Sequence, residues 1–325
     1  MADEPIPSPS PAPSPTPAAA PPPNPILESV GRLDRSTQLM AGAGLVVAVA
    51  GLVGIIIETW RFDYAGLLIV VAGLGGAALA WLAAERKLPA MPLSAADLLL
   101  AAAAVAAALG VLALVTILAD LDQLGDEYGG ILGVVTSAAV AVAGLAMLYW
   151  ALAPSGGPAS VWRTATSSGR GPLIGLAGAG LAYLGWVGNL SIGVWTFSAS
   201  AVVVTLFTLA GVVLFIAARR GGAAKPVPLS WIAAVVAGLA ALVLADHFGI
   251  FSRLMDRNEL GVEHWLIFGA YGIGVLALLG GSILLAVDER AVQVAASPAA
   301  GDAGTADAAQ PEVAAAPIDS SGAGG

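Results

Sequence analysis

Six side chains able to bind a metal ion or move a proton gather in one stretch, between positions 246 and 264. They are four carboxylates and the chain's two histidines, namely Asp246, His247, Asp256, Glu259, Glu263 and His264. Oxygen and imidazole ligands of this kind suit a divalent cation such as zinc or calcium. Convergence of Asp246, His247 and His264 in a cleft would instead allow acid–base catalysis.

The spacing of these six residues favours a simpler interpretation. The two histidines are seventeen positions apart, and the six residues match no zinc or calcium signature. The same stretch carries an apolar set that would share one helix face, with charged residues on the other: Phe248, Ile250, Phe251, Leu254 and Met255. A short helix lying in the membrane interface is therefore the preferred prediction. The six residues remain candidate ligands only, and no residue is assigned to a metal site.

Polar groups elsewhere are predicted to be structural. Asp97 directly precedes an apolar stretch, about one turn after Ser94, where a carboxylate can cap the helix start and interacts favourably with the helix dipole. A coupling site for ion transport is the alternative for Asp97. Asn189 is predicted to be a turn residue. The acidic run lacks the oxygen spacing of a calcium loop and is predicted to be a solvated turn: Asp120, Asp122, Asp126 and Glu127.

The chain lacks the motifs of common enzyme classes. It contains no cysteine, which excludes disulfides, thiolate metal sites and cysteine nucleophiles. It also has no nucleophile elbow, no phosphate-binding glycine loop and no His-Glu-x-x-His helix. We therefore expect a protein that is not an enzyme and that has no cofactor.

Eight apolar stretches without a charged residue must position whatever groups are functional. A helix that crosses the ~30 Å hydrocarbon layer needs ~20 apolar residues, and it satisfies its own backbone groups there. With 58% hydrophobic and 11% charged residues, the composition agrees. The prediction is an all-α polytopic transmembrane helix bundle of about eight crossings. The stretches cover residues 39–57, 65–84, 98–119, 129–153, 172–188, 194–218, 229–245 and 265–287.

The number of crossings depends on the fifth and seventh stretches. Each holds only 17 residues, so each must extend into uncharged flanks such as 189–192, or thin the bilayer locally. The alternative is seven crossings, with the fifth stretch as a re-entrant segment.

The basic residues predict the orientation of the bundle. Ten of the thirteen Lys and Arg fall on one side of the predicted topology, and loops rich in them stay in the cytoplasm. We therefore expect a multi-pass plasma-membrane protein with both termini cytoplasmic. The opposite loops are acidic, so the net charge of −9 gives no reason to expect a nucleic-acid partner. The ten are Arg32, Arg35, Arg86, Lys87, Arg163, Arg170, Arg219, Arg220, Lys225 and Arg290.

An internal repeat is predicted from matching segment ends. Residues 92–94, Pro-Leu-Ser, recur at 228–230, and residues 118–120, Leu-Ala-Asp, recur at 244–246. Two parallel four-helix repeats of one orientation would be related by an axis along the membrane normal. Chance similarity is the alternative in a chain so rich in alanine and glycine.

The predicted domain organisation is a membrane region between two disordered tails. Residues 26–38 would form either a helix on the inner leaflet or a plain linker. Small residues four positions apart predict close helix contacts: Ala50 with Gly54, Gly76 with Ala80, and Gly171 with Gly175. The predicted units are a Pro-rich cytoplasmic tail with juxtamembrane segment (1–37), half 1 (38–153), a cytoplasmic linker (154–171), half 2 (172–288) and an Ala/Gly-rich cytoplasmic tail (289–325).

Two functions fit this organisation, and the membrane lipids are the one partner it requires. The first is a bacterial scaffold or accessory subunit of a membrane assembly, with membrane-protein partners or self-association. The alternative is a secondary transporter or channel-like protein for a small, weakly polar solute, and a membrane enzyme comes third. A polar central cavity would favour transport, and a dry centre would favour a scaffold. The candidate lining is Thr136, Ser137, Asn189, Ser198, Thr205 and Thr208.

Overall fold

The structure, a computed structural model, describes residues 34–57, 64–85, 93–119, 130–191, 197–220, 229–256 and 261–296. Regular structure in these ranges is helical, with one short 3₁₀ turn at Ala153–Ser155. The α-helices are α1 (Arg35–Ile56), α2 (Tyr64–Ala84), α3 (Ala95–Ala119), α4 (Gly130–Leu152), α5 (Ala159–Ser167), α6 (Arg170–Ser191), α7 (Phe197–Arg220), α8 (Leu229–Asp256) and α9 (Val262–Ala296).

The predicted fold class, an all-α membrane helix bundle, is confirmed. Seven described helices are long and apolar enough to cross a membrane, namely α1–α4, α6, α7 and α9. In α8 the apolar part is shorter and covers Leu229–Ala245. With α8 included, the described part of the chain offers eight candidate crossings.

Both short stretches extend into their flanks, as their length requires. The fifth stretch lies within α6, which has 22 residues and is about 33 Å long. It packs along α9 as one continuous helix rather than as a re-entrant segment. The seventh stretch continues without a break to Asp256, so the predicted interfacial helix is the end of α8 and not a separate element. Phe248 supports this continuation, since its ring lies 6.0 Å from that of Phe268 in α9.

The helices also extend into segments predicted to be linker or tail. Most of residues 1–37 and 289–325, including 26–33, lie outside the described residues. Residues 35–38 belong to α1, because Asp34 accepts a hydrogen bond from the backbone N–H of Thr37 and caps the helix. Residues 289–296 continue α9, where no proline or glycine ends the helix.

The predicted linker, residues 154–171, contains a helix that hydropathy does not indicate. Gly156 has φ 97° and Gly169 has φ 103°, values that glycine adopts without strain, and these turns bracket α5. Helix α5 is amphipathic, with Ala165 buried against the bundle and Trp162 exposed. It lies where α6 begins and α7 ends, since Ser168 donates a hydrogen bond to the carbonyl of Ala218.

Two groups of four helices build the bundle. Helices α1 to α4 each contact their chain neighbours, and α4 returns to pack on α1. Helices α6 to α9 form the same cyclic arrangement, with the most extensive contact between α6 and α9. The two groups meet mainly along α3 and α7. Sequence duplication stays a prediction, because up-and-down connection produces this arrangement in unrelated bundles as well.

Successive crossings are antiparallel, so helix starts and helix ends lie together. Asp97 at the start of α3 contacts Arg219 at the end of α7, and Ser230 at the start of α8 contacts Glu289 near the end of α9. The end of the bundle that holds Asp97, Arg219 and Arg220 is termed the basic end below. The sequence predicts that this end faces the cytoplasm.

Glycines bring the helix backbones close together inside each group. A Cβ atom added to Gly281 of α9 would lie 2.3 Å from the backbone nitrogen of Gly175 in α6. One added to Gly171 would lie 2.9 Å from the backbone nitrogen of Leu285. The predicted pair Gly171 and Gly175 therefore packs inside the chain, against α9. In a membrane such close approach supplies the dispersion contacts that a hydrophobic drive cannot.

Candidate functional site

The start of α3 is capped by a reciprocal pair of side chains. The backbone N–H of Ser94 donates to Asp97 Oδ2 at 3.1 Å, and the Ser94 hydroxyl donates to the same oxygen at 2.6 Å. In return the backbone N–H of Asp97 donates to Ser94 Oγ at 3.3 Å. This arrangement is a capping box, in which two helix-start donors are satisfied at once. The capping role predicted for Asp97 is confirmed.

Asp97 has a second set of partners in the other helix group. Arg219 Nη2 donates to Asp97 Oδ1 at 2.7 Å, and Arg220 Nη2 donates to Asp97 Oδ2. The carboxylate is 0% exposed, whereas the side chains of Arg219 and Arg220 keep 34% and 16% of their exposure. Together with Ser94, the two guanidinium groups supply four donated hydrogen bonds, which is the capacity of a carboxylate.

Arg219 connects this carboxylate to a third part of the chain. Its Nη1 donates to Ser155 Oγ at 2.9 Å, in the 3₁₀ turn that follows α4. Its guanidinium carbon also lies 5.9 Å from the centre of the Phe215 ring, one turn earlier on α7. Ser94, Asp97, Ser155, Arg219 and Arg220 are termed the Asp97 cluster. Within this cluster one carboxylate contacts two guanidinium groups.

The sequence did not reveal that Asp97 pairs with arginines. Residues 219 and 220 end one apolar stretch, and Asp97 lies in the first turn of another, both on the predicted cytoplasmic side. Their shared side was the signal in the sequence that these residues could meet. They are in contact because α3 and α7 are neighbours, and hydropathy carries no information on which helices are neighbours.

An apolar crevice lies between the two helix groups, next to the Asp97 cluster. Its volume is about 230 Å³. Its walls come from α3 to α7 and include Leu100, Leu152, Val161, Tyr183, Phe207 and Phe215. Leu100 follows Asp97 by one turn of α3, and Phe215 precedes Arg219 by one turn of α7, so the cluster stands at the basic end of the crevice.

Tyr183 ties the two groups together at the other end of the crevice. Its hydroxyl donates to the backbone carbonyl of Ala108, near the middle of α3, at 3.1 Å. Its ring stands edge-on to Phe207 with 6.3 Å between ring centres. Tyr183 and Thr208 are the two polar side chains among the described residues that line the crevice.

Of the residues predicted to line a polar path, those with described side chains do not converge. The side chains of Asn189 and Ser198 lie outside the described ones. The hydroxyls of Thr136 and Thr205 donate to carbonyls of their own helices, at 2.9 Å to Leu132 and 2.7 Å to Ala201. Ser137 is buried without a hydrogen bond to another described residue. Thr208 alone of the described candidates lines the crevice.

The six candidate metal ligands are only partly described. Asp246, His247 and Asp256 lie on α8, but their side chains are outside the description, as is all of Glu259. Glu263 and His264 open α9, with His264 Nδ1 3.3 Å from Glu263 Oε1. The same nitrogen lies 3.2 Å from the backbone nitrogen of Gly261, which donates to it. Among the described side chains, no three potential metal ligands cluster anywhere.

A second polar region lies beside the end of α7. A cavity of about 310 Å³ is lined there by Ser167, Ser168, Asp288 and Glu289, together with Ala217 and Ala218 of α7. Glu289 accepts a hydrogen bond from the buried hydroxyl of Ser230. The basic end therefore holds two carboxylates, Asp288 and Glu289, as well as the arginines of the Asp97 cluster.

Comparisons of the chain with protein-family models, with curated proteins and with solved structures found no match. The arguments for a function therefore come from the geometry of the bundle.

Proposed function

We propose that the protein is a non-enzymatic scaffold or accessory subunit of an assembly in a bacterial plasma membrane, with both termini in the cytoplasm. The observation that carries this proposal is the contact between the two helix groups. It consists of apolar packing, one buried charged cluster and the Tyr183 hydrogen bond, without a described polar path between the groups.

The crevice is a poor site for a polar solute. Transporters place substrate sites near the middle of the bilayer and use polar side chains or unwound backbone to bind the solute. Here the described hydroxyls of Thr136 and Thr205 bond within their own helices, and the crevice is lined mainly by Leu, Ala, Val and Phe. A dry interface of this kind supports a scaffold over the alternative, a secondary transporter or channel.

The Asp97 cluster favours a fixed arrangement of the two groups. Rocking of one group against the other would separate Asp97 from Arg219 and Arg220. Removing one partner from a fully buried ion pair costs about 3–5 kcal/mol. The cost is lower here because both arginines keep some contact with water, yet it opposes the large motions that alternating access needs.

Helix α9 offers a surface for a partner. It runs nine residues past the predicted crossing at 265–287, about 13 Å at the rise of an α-helix. Val292 and Val294 on this extension are 54% and 63% exposed. We propose that these two valines contact the partner, since a contiguous apolar patch exposed to water marks an interaction site.

Distance measurements between the groups test whether they move. The chain has no cysteine, so Ala84→Cys in α2 and Ala291→Cys in α9 allow specific spin labelling at two exposed positions near the basic end. A scaffold should give one narrow distance distribution in lipid nanodiscs, unchanged by pH, by added cations or by small solutes. Thr166→Cys with Ala291→Cys provides the control pair. Thr166 is in α5, which packs on α6 and α7, and these helices belong to the same group as α9.

Two results would decide between the functions. A second distance population for the Ala84 and Ala291 pair, absent from the control pair, would favour the transporter. For the scaffold we expect a membrane protein to co-purify in stoichiometric amount from native membranes. That protein should be lost with Val294→Glu and retained with Val262→Glu, since Val262 is exposed at the opposite end.

A further inference from the structure

We propose that the crevice between the two helix groups binds a small aromatic hydrocarbon of one or two rings. This binding site goes beyond the scaffold role and does not depend on it. Three features of the crevice support this ligand, namely its apolar lining, its volume and the aromatic rings in its walls.

The lining of the crevice is mainly apolar. Tyr183 and Thr208 are the two polar side chains among the described residues that line it. The Tyr183 hydroxyl already donates a hydrogen bond to the carbonyl of Ala108. A buried water needs about two to four polar partners, so an apolar molecule is better suited to this space than water.

The volume of the crevice has room for about two fused rings. An apolar cavity of about 150 Å³ binds benzene, and the crevice, at about 230 Å³, is about one and a half times as large. Small residues on three helices leave this room, namely Ala104 of α3, Ala179 of α6 and Gly211 of α7. The crevice is open rather than enclosed, so a ligand can enter it without unfolding of the bundle.

The aromatic rings in the walls favour an aromatic ligand. Tyr183, Phe207 and Phe215 all line the crevice. Tyr183 and Phe207 already meet edge to face, with 6.3 Å between ring centres and 79° between ring planes. Aromatic rings attract one another through the opposite partial charges of their faces and edges, in addition to the gain from burial. A saturated hydrocarbon of the same size lacks this attraction.

A ligand in the crevice would contact both helix groups. Helices α3 and α4 of the first group and α6 and α7 of the second supply most of the walls, and α5 adds Val161. Because the ligand binds the folded arrangement of the two groups, it should stabilise the protein against unfolding.

Binding of naphthalene to the full-length protein in detergent micelles tests the site. The fluorescence of naphthalene reports its binding, and two saturated compounds serve as competitors: decahydronaphthalene, which has the same fused skeleton, and decane, a flexible chain with the same number of carbons. We expect one saturable site for naphthalene. Decahydronaphthalene should compete about two- to tenfold more weakly, which is the effect of one aromatic pair.

Two further results are expected from the same preparation. Decane should compete more weakly than decahydronaphthalene, because a flexible chain loses conformational freedom on binding. Thermal unfolding of the protein should shift upward with naphthalene, because a ligand of the folded state stabilises it.

Two pairs of variants locate the site and correct for the uptake of naphthalene by the micelles. Thr208→Phe fills the crevice and should remove the saturable binding, whereas Val202→Phe, on an exposed part of the same helix, should keep it. Leu148→Ala enlarges the crevice and should raise the preference for 2-propylnaphthalene over naphthalene. Leu145→Ala, which changes an exposed leucine of the same helix, should leave that preference unchanged.

Several outcomes would overturn the proposal. The absence of a saturable site, or saturable binding that persists in Thr208→Phe, would show that the crevice does not bind naphthalene. Equal competition by decahydronaphthalene would remove the preference for aromatic rings, and decane binding as tight as that of naphthalene would indicate a site for an acyl chain. If Thr208→Phe does not fold, the competitors and the Leu148→Ala pair still decide the result.

Discussion

At the scale of single residues, Asp97 shows how a carboxylate is accommodated at the edge of a membrane bundle. A buried charge needs partners that repay its lost hydration, and Asp97 has one set from its own helix start and another from α7. The local set fixes where α3 begins. The distant set fixes which helix lies beside it.

The local half of this arrangement could be predicted from sequence, and the distant half could not. Ser94 and Asp97 are three positions apart, so a capping box follows from spacing and helix geometry alone. Arg219 and Asp97 are 122 positions apart. Their contact depends on the packing order of the helices, which the similar Ala, Leu and Val surfaces of this chain do not reveal.

Asp34, the cap of α1, gives a prediction about acid titration. Hydrogen bonds from the Ser36 hydroxyl, and then from the hydroxyl and backbone N–H of Thr37, lower the pKa of Asp34 from 3.8 to about 2. A lowered pKa means that the charged form is favoured in the folded protein. This stabilisation is present above pH 3.8 and is lost as the pH falls through about 2.

NMR titration of the Asp34 carboxyl should therefore show a midpoint near pH 2. Ser36→Ala should move the pKa of Asp34 toward 3.8, whereas Ser36→Thr, which keeps the hydroxyl, should leave it low. An unchanged pKa in Ser36→Ala would show that the side-chain hydrogen bond does not set it.

At the scale of helices, the contact between α6 and α9 depends on glycine. The backbones meet where Gly175 faces Gly281 and where Gly178 faces Leu278. Lipid tails are as apolar as leucine, so association must come from dispersion at short range, and a side chain at these positions would prevent it.

Alanine substitutions at adjacent glycines test this contact. Gly281→Ala places a Cβ atom 2.3 Å from the backbone nitrogen of Gly175, whereas Gly280→Ala meets no heavy atom within 4 Å. We expect Gly281→Ala to lower the free energy of unfolding by about 1–3 kcal/mol, as overpacking does. Gly280→Ala should be neutral or slightly stabilising, because alanine favours helix.

Unfolding in mixed micelles, followed by circular dichroism, measures both variants under the same conditions. Equal unfolding of the two variants would mean that α6 and α9 do not approach as closely as described. The pair is well matched because the two glycines are consecutive on one helix and differ only in the face they occupy.

Hydropathy predicted the crossings but missed two helical features. Helix α5 has nine residues, too few for a helical period to stand out among Pro, Gly and Ser. The sequence-based prediction treated the end of α8 as a separate helix, because charged residues such as Asp246 and Arg253 interrupt the apolar stretch. A helix continues through such residues once it leaves the hydrocarbon, so its end and the membrane boundary differ.

At the scale of the whole molecule, the Asp97 cluster is the polar contact that joins the two helix groups at the basic end. Asp97→Asn removes the carboxylate charge that Arg219 and Arg220 both contact. We expect a loss of about 1–3 kcal/mol in stability, below the about 3–5 kcal/mol of a fully buried pair, because both arginines remain partly hydrated. Thermal unfolding in nanodiscs measures this loss.

Asp288→Asn provides the matched control, since Asp288 is an exposed aspartate at the same end of the bundle. Combining Asp97→Asn with Arg219→Gln should cost less than the sum of the two single changes, because the residues interact directly. Additive effects, or equal losses in Asp97→Asn and Asp288→Asn, would contradict a joining role for the cluster.

The distance along the chain between Asp97 and Arg219 has a consequence for biosynthesis. Ribosomes add about 5–20 residues per second, so the 122 residues that separate the partners take about 6–24 s to synthesise. During that interval Asp97 can form its hydrogen bonds with Ser94 but not yet those with Arg219 and Arg220. Synthesis of α7 supplies both arginines, so the insertion of this helix is the step at which the nascent chain can join its two helix groups through Asp97.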